Sequence, residues 1–90
     1  MEHDSYMPLA TANQEHLERH PGVCVACLQQ IAANGVQHWI DDADGKTAIC
    51  PHCGIDAVVP LHQIQDEGKP ERRMQILQHW RRIGFGTAAS

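Results

Sequence analysis

The stretch ICPHCGIDAVV (residues 49–59) joins a Cys-x-x-Cys pair to a run of β-prone residues. A second pair, Cys24 and Cys27, lies upstream with 22 residues between Cys27 and Cys50, and the two pairs contain all four cysteines of the chain. Two such loops supply the four thiolates that Zn²⁺ takes in closed structural sites. We therefore predict one Zn²⁺ per chain, bound by Cys24, Cys27, Cys50 and Cys53. Reduced thiols or disulfides are the alternatives.

The segment between the two pairs predicts a hairpin. Val36, His38 and Ile40 alternate with Gln37 and Trp39 before Asp44-Gly45, which favours a type I′ turn, and Thr47–Ile49 returns the chain to the second pair. A further strand is expected over Ile55–Val59. After Cys27, helix formers and an Asn34-Gly35 stop predict a short helical turn. The expected centre is a zinc ribbon of about three short antiparallel strands.

Helices are predicted on both sides of this centre. Residues 11–20 suit a short helix with Thr11 and Gln14 as a capping box, and residues 1–8 are expected to be frayed. Pro70 opens a longer helix, to about Ile83, whose apolar stripe consists of Ile76, Leu77, Trp80 and Ile83. The last residues, 86–90, are expected to be disordered. The predicted fold class is a small α+β, metal-stapled domain.

The chain divides into three predicted segments. Residues 1–22 form an N-terminal arm with a short helix, residues 23–60 the four-cysteine ribbon, and residues 61–90 a linker, the C-terminal helix and the tail. A chain of 90 residues buries a modest core, so a metal staple would supply stability that packing lacks. No long apolar segment indicates a membrane span or a signal peptide, so we expect a cytoplasmic protein with reduced thiols.

The residues from Cys24 to Val59 also resemble a known group of proteins. The series C-x-x-C, W-I-D and A-I-C-P-H-C-G-I-D-A-V is similar to that of small, uncharacterised bacterial cytoplasmic proteins built around a zinc ribbon. The similarity covers roughly 40% of the chain. It implies a zinc-ribbon fold with the four cysteines as ligands, and it implies no established activity.

Three histidines near the cysteines are weaker ligand candidates. His16 and His20 share one helical face, at positions i and i+4, just before Cys24. Four sulfurs already complete the zinc shell, so we expect these two side chains on a solvated helix face. His52 lies between Cys50 and Cys53, and its ring is expected to point to solvent.

The charge distribution argues against nucleic-acid binding over most of the chain. Residues 1–68 contain ten acidic and two basic residues, a formal charge of −8, and residues 69–90 contain five basic and one acidic residue, a charge of +4. Four thiolates with one Zn²⁺ add about −2. A polyanion would therefore be repelled except at the C-terminal helix, which leaves nucleic-acid binding through that helix as the alternative function.

The favoured function is a non-catalytic one. A four-thiolate zinc has no open coordination position, so no enzyme activity is expected, and the chain is predicted to be an interaction or adaptor module for another protein. The candidate surface comprises Trp39, Trp80, Arg81 and Arg82. Two lesser alternatives are a thiol redox protein and a rubredoxin-like iron carrier. Against redox chemistry, no βαβ arrangement surrounds either cysteine pair. Against iron, Leu28 follows Cys27 where rubredoxins carry glycine.

Overall fold

The computed structural model describes residues 6–64 and 66–85. This part of the chain is an α+β fold with helices on both sides of short antiparallel strands, as the sequence predicts. The helices are α1 (Met7–Ala10), α2 (Gln14–Arg19) and α3 (Pro70–Phe85). The strands are β1 (Gly22–Cys24), β2 (Gln30–Ile31), β3 (His38–Asp42), β4 (Gly45–Ile49) and β5 (Val58–Pro60). The expected fraying of residues 1–5 and disorder of residues 86–90 fall outside the described residues.

The strands form two antiparallel sheets rather than one three-stranded ribbon. In the described residues, one sheet has the order β2-β1-β5, and the other is the hairpin β3-β4. Strand β1 is central, since Gly22 pairs with Ile31 on one side and with Pro60 on the other. The predicted strand at residues 55–59 begins later, at Val58, because Gly54 and Ile55 still close the second cysteine loop.

The hairpin forms where the alternation predicts it, with its turn displaced by one residue. Asp42 pairs with Gly45, so Ala43 and Asp44 form the two-residue turn. The predicted centre, Asp44-Gly45, is therefore wrong by one position. Gly45 is the first residue of β4 and has a φ of +146°, a value that side-chain-bearing residues rarely adopt.

The segment after Cys27 forms a strand and not the predicted helical turn. Leu28 has a φ of +63°, which turns the chain back on itself. Gln30 and Ile31 then pair with Val23 and Gly22 as β2. The helix propensity of this segment loses to pairing with the buried strand β1, because tertiary contacts outweigh small differences in intrinsic preference.

One buried asparagine bonds the N-terminal helices to both sheets. Asn13, 2% exposed, donates its amide to the Leu9 and Val58 carbonyl oxygens at 3.0 and 2.8 Å. Its carboxamide oxygen accepts the Ala48 N–H at 3.4 Å. The predicted capping box is wrong, because α2 begins at Gln14 with Asn13 as its N-cap residue and has no side-chain cap bond. Residues 7 and 8, expected to be frayed, belong to α1.

Helix α3 starts at Pro70 as predicted, and its packed face differs by one position. Leu77 and Trp80 are buried and Ile76 is partly buried against the core, whereas Ile83 is 53% exposed. Tyr6 packs instead at Gly84, which is exposed and where an added Cβ would lie 2.7 Å from the Tyr6 ring. Glycine allows Tyr6 to lie close to the helix at this position.

A buried carboxylate fixes the start of α3. Asp66, 6% exposed, accepts the Arg73 Nε–H at 2.7 Å and the Gly68 N–H at 2.9 Å. The Arg73 guanidinium lowers the pKa of the Asp66 carboxyl.

The core beneath these elements consists mostly of small aliphatic side chains. Strands β1 and β5 are buried at every position. The larger buried apolar side chains of the core include Leu17 from α2 and Leu77 and Trp80 from α3. No helix in the two described ranges combines the length and hydropathy that crossing a bilayer requires.

Candidate metal centre

The four cysteine side chains converge on one point. Their Sγ atoms all lie within 4.8 Å of one another, with Cys24 to Cys53 at 3.6 Å and Cys27 to Cys50 at 3.8 Å. Four sulfurs bound tetrahedrally to Zn²⁺ at 2.3 Å would be about 3.8 Å apart. A disulfide would require about 2.05 Å, and all four cysteines are free. The spacing therefore fits a tetrahedral metal site.

The first cysteine loop is closed by two backbone hydrogen bonds. The Leu28 N–H donates to the Cys24 carbonyl at 2.7 Å, and the Cys24 N–H donates to the Gln29 carbonyl at 3.0 Å. These bonds hold Cys24 and Cys27 on the inner side of a tight turn between β1 and β2. The loop therefore presents both sulfurs from a fixed backbone.

The second loop repeats this arrangement residue for residue. The Gly54 N–H donates to the Cys50 carbonyl at 2.9 Å, and the Cys50 N–H donates to the Ile55 carbonyl at 3.0 Å. The two loops are thus structurally equivalent, each presenting two thiols, although their sequences share only the cysteines. The equivalence explains how the two pairs form a symmetric four-sulfur group.

The residue after each second cysteine adopts the same left-handed conformation. Gly54 has a φ of +79°, as its sequence position indicates, and Leu28 has a φ of +63°. A leucine there is strained by about 1–2 kcal/mol, because its Cβ approaches the following carbonyl. Leu28 takes the same left-handed conformation as Gly54, so the absence of glycine after Cys27 does not separate zinc from iron.

The four sulfurs differ in burial and in proton affinity. Cys24 and Cys50 are buried, Cys27 is intermediate and Cys53 is exposed. Burial raises the pKa of the Cys24 thiol, an effect that the Cys27 and Ala26 N–H groups oppose. Burial also acts to raise the pKa of Cys50, but hydrogen bonds from the Cys53 and His52 N–H groups, and then from the Cys27 and Cys24 thiols, together outweigh it, and the pKa of Cys50 is lowered.

Backbone N–H groups are therefore directed at the first sulfur of each loop. The His52 N–H lies 3.3 Å from Cys50 Sγ. Such donors stabilise a thiolate, the form of cysteine that binds a metal. A shell of four thiolates closed in this way would leave no coordination position for water or substrate.

The remaining predicted residues occupy different environments. His52 is exposed, and Trp39, on the hairpin, is partly buried. Trp80 is 4% exposed, so its ring lies in the core and is not presented at the surface. Arg81 donates from Nε to the Ala26 carbonyl at 2.8 Å, which ties α3 to the first cysteine loop. Arg82 is exposed.

His16 and His20 lie outside the four-sulfur group, and both are exposed. The structure brings a third histidine, His62, next to them: its ring centroid is 4.0 Å from that of His20 and 5.4 Å from that of His16. His62 was missed because 42 residues separate it from His20, and the sequence contains no local pattern that links them.

Comparisons of the chain with protein-family models, with curated proteins and with solved structures found no match.

Proposed function

We propose that this chain is a zinc-ribbon protein in which one structural Zn²⁺ is held by Cys24, Cys27, Cys50 and Cys53. The observation that carries this proposal is the convergence of four free Sγ atoms within 4.8 Å of one another. Two equivalent loops and the sequence resemblance to bacterial zinc-ribbon proteins support it. Zinc is preferred to iron because it is the usual occupant of a closed structural four-cysteine site.

The proposed role is non-catalytic. In a closed shell of four thiolates the metal can neither polarise a substrate nor activate water, and both of these actions need an open position. Its contribution would be to folding: the ion would join the β1–β2 loop to the β4–β5 loop. In a domain whose core consists largely of valines and alanines, such a link would supply much of the stability.

The metal would then support a surface that binds another protein, and the hairpin is the element best suited to this. Within the described residues, β3 is paired with β4 alone, so its other edge has no strand beside it. On this strand Ile40 is 44% exposed next to the partly buried Trp39. An open strand edge with apolar side chains is a common site for adding an extended segment of a partner.

The contacts of α3 favour a protein partner over nucleic acid. Arg73 is paired with Asp66, and Arg81 is bonded to the Ala26 carbonyl. Two of the five basic residues of the C-terminal segment thus have partners within the chain. The remainder of the chain, residues 1–68, is acidic, with a net formal charge of −8. Polyanion binding through α3 would have to overcome that repulsion.

Elemental analysis tests the metal. The chain, purified without chelator, should contain about one zinc per molecule. Less than half an equivalent of zinc, or iron with a red colour, would contradict the zinc assignment.

A capture experiment from native lysate tests the role, using the zinc-loaded wild type, Ile40→Lys and Met74→Lys. Met74, 43% exposed on α3, is the matched control for an exposed apolar residue replaced by a charge. We expect that the wild type and Met74→Lys both retain a partner protein and that Ile40→Lys does not. Equal retention by all three would contradict the hairpin surface. Salt-dependent binding of DNA or RNA, lost with Arg82→Ala, would instead support the nucleic-acid alternative.

A further inference from the structure

A cluster of three histidines, His16, His20 and His62, lies outside the four-cysteine site. The His62 ring lies over that of His20, with centroids 4.0 Å apart and planes inclined by 33°. The His16 ring is 5.4 Å from that of His62. All three side chains are exposed. Three imidazoles from two separate elements therefore share one patch of the surface.

The backbone fixes this arrangement. His16 and His20 lie one turn apart, since the His20 N–H donates to the His16 carbonyl at 2.8 Å at the end of α2. Next along the chain, the Pro21 carbonyl accepts the Leu61 N–H at 3.0 Å, in register with the pairing of Gly22 and Pro60. This bond places the 3₁₀ turn Leu61–Gln63 beside the end of α2. The Cα positions of the cluster are thus set before any ligand binds.

We propose that the histidine cluster is a second metal site, which binds Zn²⁺ or a similar borderline divalent cation at the surface of the protein. Three neutral imidazoles provide the ligand set of open zinc sites, in which the fourth position is left to water or to an external ligand. This site would differ in kind from the closed four-cysteine site, because its metal would remain accessible from solvent.

The electrostatic environment suits a cation. Partial desolvation of its ring, followed by the neighbouring His20 and His16, lowers the pKa of His62, which favours the neutral, metal-binding form near neutral pH. The net formal charge of −4 also attracts cations to the molecule.

Binding requires local side-chain rotation. Among the described residues, the four cysteines are the group whose ligand atoms all lie within 4.8 Å of one another, so the imidazole nitrogens must approach further. The rings are exposed and can change rotamer without disturbing the core. The Gln63 amide, 3.3 Å from His16 Nε2, would be displaced if that nitrogen bound the metal.

The test is a titration of the zinc-saturated chain with further Zn²⁺. Every protein carries His3→Ala, which removes the one histidine outside the described residues. Equilibrium dialysis should show a second equivalent bound, and the ring-nitrogen NMR signals of His16, His20 and His62 should shift together. His62→Ala should weaken the second binding step at least about tenfold.

Two matched controls are His38→Ala and His79→Ala, which remove exposed histidines elsewhere. Both should retain the second equivalent. The proposal is overturned if no second equivalent binds at about 1 mM free Zn²⁺, or if the controls weaken binding as much as His62→Ala does. If His62→Ala does not fold, the ring-nitrogen shifts of the chain that carries His3→Ala alone decide the question. Movement of histidine signals other than those of His16, His20 and His62 would also overturn the proposal. A failure here leaves the four-cysteine stoichiometry unaffected, so the two metal sites are tested independently.

Discussion

Replacing Asn13 with aspartate should destabilise the protein far more than an added negative charge elsewhere. The substitution keeps the size of the side chain but removes the amide that donates to the Leu9 and Val58 carbonyl oxygens. Each lost bond costs about 0.5–1.5 kcal/mol, and leaving the buried Val58 carbonyl beside a carboxylate costs about 1–3 kcal/mol more. We expect the free energy of unfolding to fall by about 3–5 kcal/mol, a large part of the total for a domain of this size.

The assay is urea unfolding, followed by near-ultraviolet circular dichroism at a fixed free zinc concentration. Fixing the zinc is necessary because metal that binds the folded chain alone raises the apparent stability with its concentration. The control is Gln37→Glu, which introduces the same charge at an exposed position and should change the free energy by at most about 0.5 kcal/mol. If Asn13→Asp falls within that range as well, the asparagine does not stabilise the attachment of the N-terminal helices, and our reasoning is refuted.

Three further predictions follow from other parts of the structure. Cys50→Ser should abolish folding at neutral pH, because three sulfurs cannot close the site, and the loss would be seen as collapse of the amide dispersion in NMR spectra. Native-like dispersion without zinc would show that packing alone suffices for folding. Trp80→Ala should lower the free energy of unfolding by about 3–5 kcal/mol because Trp80 is buried, whereas Ile83→Ala, at an exposed position, should change it by at most about 0.5 kcal/mol. Equal effects of the two substitutions would contradict the packing of α3. The carboxyl of Asp66 should titrate in ¹³C NMR at a lower pKa in the wild type than in Arg73→Gln, and an unchanged pKa in the variant would exclude the ion pair as the cause. Because the folded-state pKa is lowered, the stabilisation is present above the unfolded-state pKa, about 3.9, and is lost as pH falls through the folded-state pKa.

Features governed by short-range spacing were predictable from the sequence. The Cys-x-x-Cys spacing, with Gly54 after the second pair, predicts two loops that each present two sulfurs, and the four sulfurs do converge. Alternation predicts the β3–β4 hairpin, and Pro70 predicts the start of α3. In each case the determining residues are close in sequence, so local geometry and burial of one face suffice.

Features that depend on residues distant in sequence were decided by the tertiary structure. Gln30–Ile31 is a strand because β1 lies beside it, and Ile83 is exposed while Tyr6 packs against α3 at Gly84. Asn13 joins segments 35 and 45 residues away. His62 reaches His20 only because β1 and β5 pair in one register. Intrinsic preferences of a few tenths of a kcal/mol per residue cannot specify such contacts, whose free energies arise only when the strands and helices have packed together.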